Sequence, residues 1–257
     1  MAAWRVWHSS GMTVVLDDLA AEQERLERIL GGLDEAQWVA PSAAGGWTVA
    51  DVVLHLAQSE ESVLTVVSGG DLRTGIGLAA GGTVQERVAE LVRAERAAPD
   101  VVFARWRRAR RAAVDALRGA DPDRPVEWVA GPVKPATLAT TRLAEHWAHG
   151  LDITGPLGID FPDTERLRHV AWLAHRTLPY AMTLAGEQPA DVRCELTAPD
   201  GASVWQFGRP EASSAIAGAA GEYCRVAAQR LSPAASGLTA SGPHGATALR
   251  LLRTYAE

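Results

Sequence analysis

Near the middle of the chain, residues 141–152 read T-R-L-A-E-H-W-A-H-G-L-D, and this stretch limits the fold more than any other. Read as a helix, it stacks Glu145 and His149 four residues apart, with Arg142 and Asp152 on the same face. Leu143, Trp147 and Leu151 form an apolar stripe roughly opposite. A helix so far from either terminus buries at least one face, and unpaired charge in an apolar interior is costly. If the polar face is the buried one, its groups need partner side chains or a metal ion, brought to them by other parts of the chain.

One such partner lies upstream. Residues 45–64, G-G-W-T-V-A-D-V-V-L-H-L-A-Q-S-E-E-S-V-L, open with Thr48 followed three residues later by Asp51, a near match to a capping box that predicts a helix. Val49, Val52, Val53 and Leu56 have helical spacing, and His55 falls between Val52 and Leu56 on the inward side. One histidine from this helix and a Glu/His pair from a later one make a three-ligand site with an open position, the arrangement of catalytic divalent centres. His146 projects about a hundred degrees from Glu145, which places it off the site, at the surface or in support behind it. Arg142 and Asp152 read either as plain ion partners or as support for Glu145 and His149.

The remaining periodicity is mostly helical. Residues 13–31 predict a helix closing near Gly31, and residues 83–117 predict further helix interrupted near Pro99. Between them, Gly69-Gly70 through Gly81-Gly82 is a small-residue connection suited to a mobile lid. Residues 119–135, rich in Pro, Gly and Asp, read as a loop. The 141–152 helix is expected to stop between Gly150 and Gly155, and residues 164–186 to form another helix with Thr164 as N-cap and Pro179 as a kink or end. The period then changes to two: residues 192–197, 203–207 and 213–218 read as strands, with Pro199-Asp200-Gly201 as a hairpin turn, before helices at 219–231 and 245–256. The expected class is mainly α, an up-and-down four-helix bundle followed by a small α+β domain. The boundary is set at 1–185 and 186–257, with a bundle ending near residue 160 as the other placement.

Composition narrows the function. With 257 residues and 47% hydrophobic content the chain can bury a sizeable core. A net charge of -6 gives no basic footprint, so neither nucleic acid nor an anionic membrane is an expected partner. The sequence lacks an apolar run of about 18 residues and a recognisable signal peptide. Cys194 and Cys224 lack C-x-x-C spacing, which argues against a disulfide scaffold or cysteine-rich zinc site and fits a reducing cytoplasm. Both read as inert buried thiols. The arginine run from Arg105 to Arg111 admits two readings, an anion site or a solvated helix face with Phe103 and Trp106 turned inward, of which the second is preferred. A small-molecule substrate is expected, and bundles of this kind often pair as homodimers.

With these residues placed, the chain resembles the DinB-like superfamily, specifically the mycothiol-dependent maleylpyruvate isomerase type. The resemblance rests on G-W-T-V-A-D-V-V-L-H-L at 46–56, R-L-A-E-H-W-A-H-G-L-D-I at 142–153, and a tail containing E-L-T-A-P-D-G, W-Q-F-G, G-E-Y-C-R-V-A-A-Q-R and L-T-A-S-G. It implies a divalent metal, usually zinc, held by His55, Glu145 and His149. It also implies a sterol-carrier-like C-terminal domain whose arginine holds the anionic substrate or thiol; the matching position is Arg230, with Arg225 as competitor. Arg230 and Arg142 are thus the candidate catalytic arginines. The implied function is a metal-dependent enzyme using a low-molecular-weight thiol as cosubstrate, for isomerisation or S-transfer on an electrophilic small molecule. A thiol-independent metal hydrolase, hydratase or cyclase, and a non-enzymatic metal-binding protein, are the alternatives.

Overall fold

Four long helices build the first unit in the computed structural model, whose described residues are 10–72, 83–129 and 131–254. They are α1 (Ser10–Gly31), α3 (Val49–Val67), α5 (Pro99–Gly119) and α6 (Pro135–Leu157), with the shorter α2 (Glu35–Val39) and α4 (Val84–Ala94) in their connections. α3 packs along α5, α5 along α1, α1 along α6, and α6 closes back on α3. Apolar residues spaced three and four apart thereby meet in one core, which includes Leu26, Leu30, Val49, Val53, Leu56 and Trp106. This is the mainly α bundle that the periodicity predicts.

Local chemistry sets the ends of the helices that matter most. Thr48 and Asp51 form a full capping box at the start of α3: Asp51 N–H donates to Thr48 Oγ1 at 3.2 Å and Thr48 N–H to Asp51 Oδ2 at 3.0 Å. Arg96 clamps the same carboxylate through two hydrogen bonds of 2.8 Å. The helical reading of 83–117 breaks because Pro99 opens α5 at its first turn, where a missing N–H costs nothing.

α6 runs to Leu157 instead of stopping between Gly150 and Gly155. Gly150 is kept by packing, since a Cβ there would sit 2.5 Å from Phe161 Cζ. Pro156 lacks the N–H that would bond Asp152, and the freed Asp152 carbonyl accepts from Ala43 N–H at 2.9 Å. The helix closes at Gly158, whose φ of 65° is left-handed. Leu143 and Trp147 are buried, and so are Arg142, His149 and Asp152. Both faces of α6 are therefore interior.

The second unit begins at Pro162, with the division at Phe161. The helix predicted at 164–186 is α7 (Leu167–Leu184), and it lies in this unit, not in a bundle extending to residue 185. The reason is its packing, against α8 (Ala220–Ala227). The sheet has the order β2-β1-β3-β4, with β1 (Val192–Thr197) antiparallel to β2 (Val204–Phe207) and parallel to β3 (Ser214–Ala219). The Pro199-Asp200-Gly201 hairpin forms as predicted, with Gly201 at φ 73° and Asp200 accepting from the Ala202 and Ser203 amides. Strand β4 (Thr239–Ser241), antiparallel to β3, was not anticipated, because three exposed residues leave no alternation to detect.

α8 ends at Ala227 rather than at residue 231, for a specific reason. Gln229 takes a left-handed φ of 61°, and Arg230 N–H reaches back to Arg225 carbonyl at 2.8 Å, a Schellman closure on a residue other than glycine. The Gln229 side chain supports it with bonds to the Val226 and Leu252 carbonyls. The last helix, α9 (Gly245–Leu251), stops before residue 256, and Thr254 N–H bonds Ala227 carbonyl. Among the described residues no helix is long and apolar enough to cross a membrane. The lid expected up to Gly82 falls largely on residues 73–82, outside the described residues.

Candidate metal centre

α3 and α6 bring His55, Glu145 and His149 together. His149 Nε2 lies 3.4 Å and His55 Nε2 3.6 Å from the same oxygen, Glu145 Oε2. The ring centroids of the two histidines are 5.0 Å apart at 75°. Two ligand atoms bound tetrahedrally at zinc distances lie about 3.3 Å apart; the two separations to Glu145 are close to this, and all three ligand atoms lie within 4.8 Å of one another. Two imidazoles and a carboxylate also form a donor set that zinc and neighbouring divalent ions accept.

Electrostatics prepare the same set. Burial pushes the Glu145 carboxyl up, but hydrogen bonds from His149 and His55 and the charge of Arg142 hold it well below the usual carboxylate range. Burial lowers His55, favouring the neutral imidazole that binds metal. Burial also pulls on His149, yet bonds to Asp152 and Glu145 outweigh it and leave that histidine more basic than usual. Asp152 Oδ2 accepts from His149 Nδ1 at 2.9 Å, which turns Nε2 toward Glu145. Of the two sequence readings for Asp152, the geometry therefore gives support of His149.

Arg142, one turn before Glu145, is 3% exposed and donates from Nε to Glu60 Oε1 at 2.9 Å, while Glu60 is fully buried on α3. Arg142 Nη2 and Glu60 Oε2 have no hydrogen-bond partner among the described residues. His146 is not a surface residue, as its wholly buried side chain shows. Its Nδ1 bonds Arg142 carbonyl at 2.8 Å, and Trp106 Nε1 donates to its Nε2 at 3.2 Å. Since an indole N–H only donates, Nε2 must accept, and the ring is the neutral Nδ1–H tautomer. Burial, reinforced by the charge of Arg142, drives its pKa down to about 3.

Two contributors escaped the sequence reading. Trp47, just before the α3 cap, places its ring 5.2 Å from that of His55 and 6.4 Å from that of His149, walling one side of the triad. A hydrophobic residue preceding an N-cap was the available signal. Glu60 interrupts the apolar stripe of Val49, Val53, Leu56 and Val63, and that break was the hint that a buried cation needed it.

The candidate arginines of the tail belong to the second unit. Arg225 makes a bidentate pair with Asp163 at 2.7 and 2.9 Å. Arg230, outside the helix that was predicted to contain it, donates to Ala228 carbonyl at 2.7 Å. In the same unit both cysteines are buried, and burial pushes the Cys194 thiol up to about 11 and Cys224 well above its usual value, which disfavours the thiolate at both.

Comparisons with known proteins agree with this fold. A family model described as the mycothiol maleylpyruvate isomerase N-terminal domain matches residues 19–154. An uncharacterized protein of Mycobacterium tuberculosis strain H37Rv is 30% identical over 245 residues, covering 93% of this chain and 94% of its own length, and a protein of strain CDC 1551 matches equally. A crystal structure of the mycothiol-dependent maleylpyruvate isomerase superposes with a TM-score of 0.59 at 17% identity, over 90% of this chain and 92% of that one. A histidine-to-alanine mutant of that isomerase gives 0.58.

Proposed function

The chain belongs to the mycothiol maleylpyruvate isomerase family, and from that membership we propose that it is a divalent-metal-dependent enzyme using a low-molecular-weight thiol, such as mycothiol, on an electrophilic small molecule. The carrying observation is the convergence of His55, Glu145 and His149 at ligand-to-ligand distances. A divalent ion, zinc in this reading, supplies Lewis acidity that lowers the pKa of a thiol or water joining it.

The chain's own residues do the rest. Asp152 fixes the His149 ring, the two histidines and Arg142 keep Glu145 anionic, and the Trp47 ring stands against both histidine rings. Both cysteines are buried and protonated, which leaves the nucleophile to the cosubstrate. Addition of the thiol sulfur across an activated double bond converts it to a single bond that rotates. Expulsion of the thiol restores the double bond in the other geometry, an isomerisation with the thiol unchanged; retention of the C–S bond is S-transfer. Arg230 is the group proposed to hold an anionic part of a reactant; Arg142, also a candidate in the sequence, is buried against Glu60 and acts on Glu145 instead.

Elemental analysis of protein purified without a metal-affinity tag tests the reading. Wild type should carry about one divalent ion per chain, and His55→Ala should carry none. Absence of metal from wild type even after incubation with zinc would remove the proposal. Metal present without saturable thiol binding would favour a hydrolase, hydratase or cyclase in which the same centre activates water.

A further inference from the structure

The outer groove between α1 and α5 concentrates arginine that its carboxylates do not balance. Glu27 on α1 receives Arg107 Nε at 2.6 Å, Arg111 Nη2 at 3.3 Å and also Arg110 Nη2, so one carboxylate serves three guanidinium groups. The groove has a volume of about 930 Å³ and is lined by five arginines and three carboxylates, and one of the five, Arg118, is paired with Asp17 at 2.7 Å, which leaves four arginines to the three carboxylates. Arg110 is only 5% exposed, and its Nε has no acceptor among the described residues. Burial and the like charge of Arg111 weaken its hold on its proton more than the charge of Glu24 restores it, a cost that a further anion would relieve. The aromatic side chains of Phe103 and Trp106 face Arg107 and Arg110 and limit where the guanidinium planes can go.

We propose that this groove binds the oxyanion of a small ligand, a phosphate or a carboxylate, through Arg107, Arg110 and Arg111. The carboxylates among the lining residues and the chain's net charge of -6 repel an extended polyanion, so the ligand is a discrete anion rather than nucleic acid or a lipid surface. None of the metal-centre ligands lines the groove. The buried, unsatisfied Arg110 donor distinguishes it from an ordinary solvated ion-pair face.

Isothermal titration with inorganic phosphate, repeated with succinate, tests the site at constant ionic strength. Wild type should bind one of them saturably, the tighter of the two identifying the ligand class. Arg111→Gln should weaken binding roughly threefold or more. Glu27→Gln, which removes the competing carboxylate, should strengthen it several-fold, a change that damage to the fold would not produce. His55→Ala should leave it unchanged. The proposal is overturned if neither anion binds saturably, if Glu27→Gln fails to strengthen binding, or if His55→Ala abolishes it, which would place the anion at the metal centre.

Discussion

At the scale of single residues, what distinguishes this centre is how few groups are left to adjust. His149 is oriented by Asp152, and His146 is locked by a donor that cannot accept. Asp152→Asn should therefore weaken zinc affinity about 10- to 100-fold with all three ligands intact, measured by competition with a chromophoric chelator; unchanged affinity would make Asp152 a bystander. His146 should remain the neutral Nδ1–H tautomer in nitrogen-15 NMR from mildly acidic to mildly basic pH. The unfolded histidine takes a proton near 6.5 and the folded one only near 3, so the unfolded state binds more protons between these values and stability falls as pH drops through that window. His146→Gln should flatten that slope in pH-dependent urea titrations, and an unaltered slope would mean that another group carries it.

At the scale of elements, the site depends on where α3 and α6 begin and end. The capping box and Arg96 anchor the start of the helix that carries His55. Burial pushes the Asp51 carboxyl up, but the bonds from Arg96 and Thr48 outweigh it and leave the carboxyl below its ordinary value. A depressed carboxylate stabilises above its unfolded pKa, so this contribution is present at neutral pH and is lost as pH falls below about 3.8. Asp51→Asn should cost about 1–2 kcal/mol near pH 7 and nearly nothing in strong acid, read from urea midpoints at each pH. An equal loss at both extremes would show that the charge is not what matters. The caps were legible because their residues are adjacent in sequence. The continuation of α6 past Gly150 was not, because that glycine is kept for the Phe161 ring and the Asp152 carbonyl is taken by Ala43, while the helix closes only at Gly158.

At the scale of the whole molecule, every side chain described for the candidate metal centre, from Trp47 to Asp152, lies in the unit ending at Phe161, whereas Arg230 lies in the other. A fragment of residues 1–161 should accordingly fold as a helical protein and bind zinc with near wild-type stoichiometry, measured by circular dichroism and elemental analysis. It should lack thiol-dependent turnover if Arg230 holds a reactant. A helical fragment without zinc would show that the second unit is needed to build the site.

The sequence alone determined the helical bundle and the change of period near residue 190, because caps and turns are local patterns, and it offered the Glu145/His149 pair as an i,i+4 candidate. The tertiary structure decided what local pattern cannot carry. It set the long-range pairing of Glu60 with Arg142, the donation from Trp106 that fixes His146, the placing of Trp47 against both histidines, and the Schellman turn that takes Arg230 out of its helix. Each of these joins groups whose meeting depends on how whole helices and strands pack, and packing is resolved only when the full core closes.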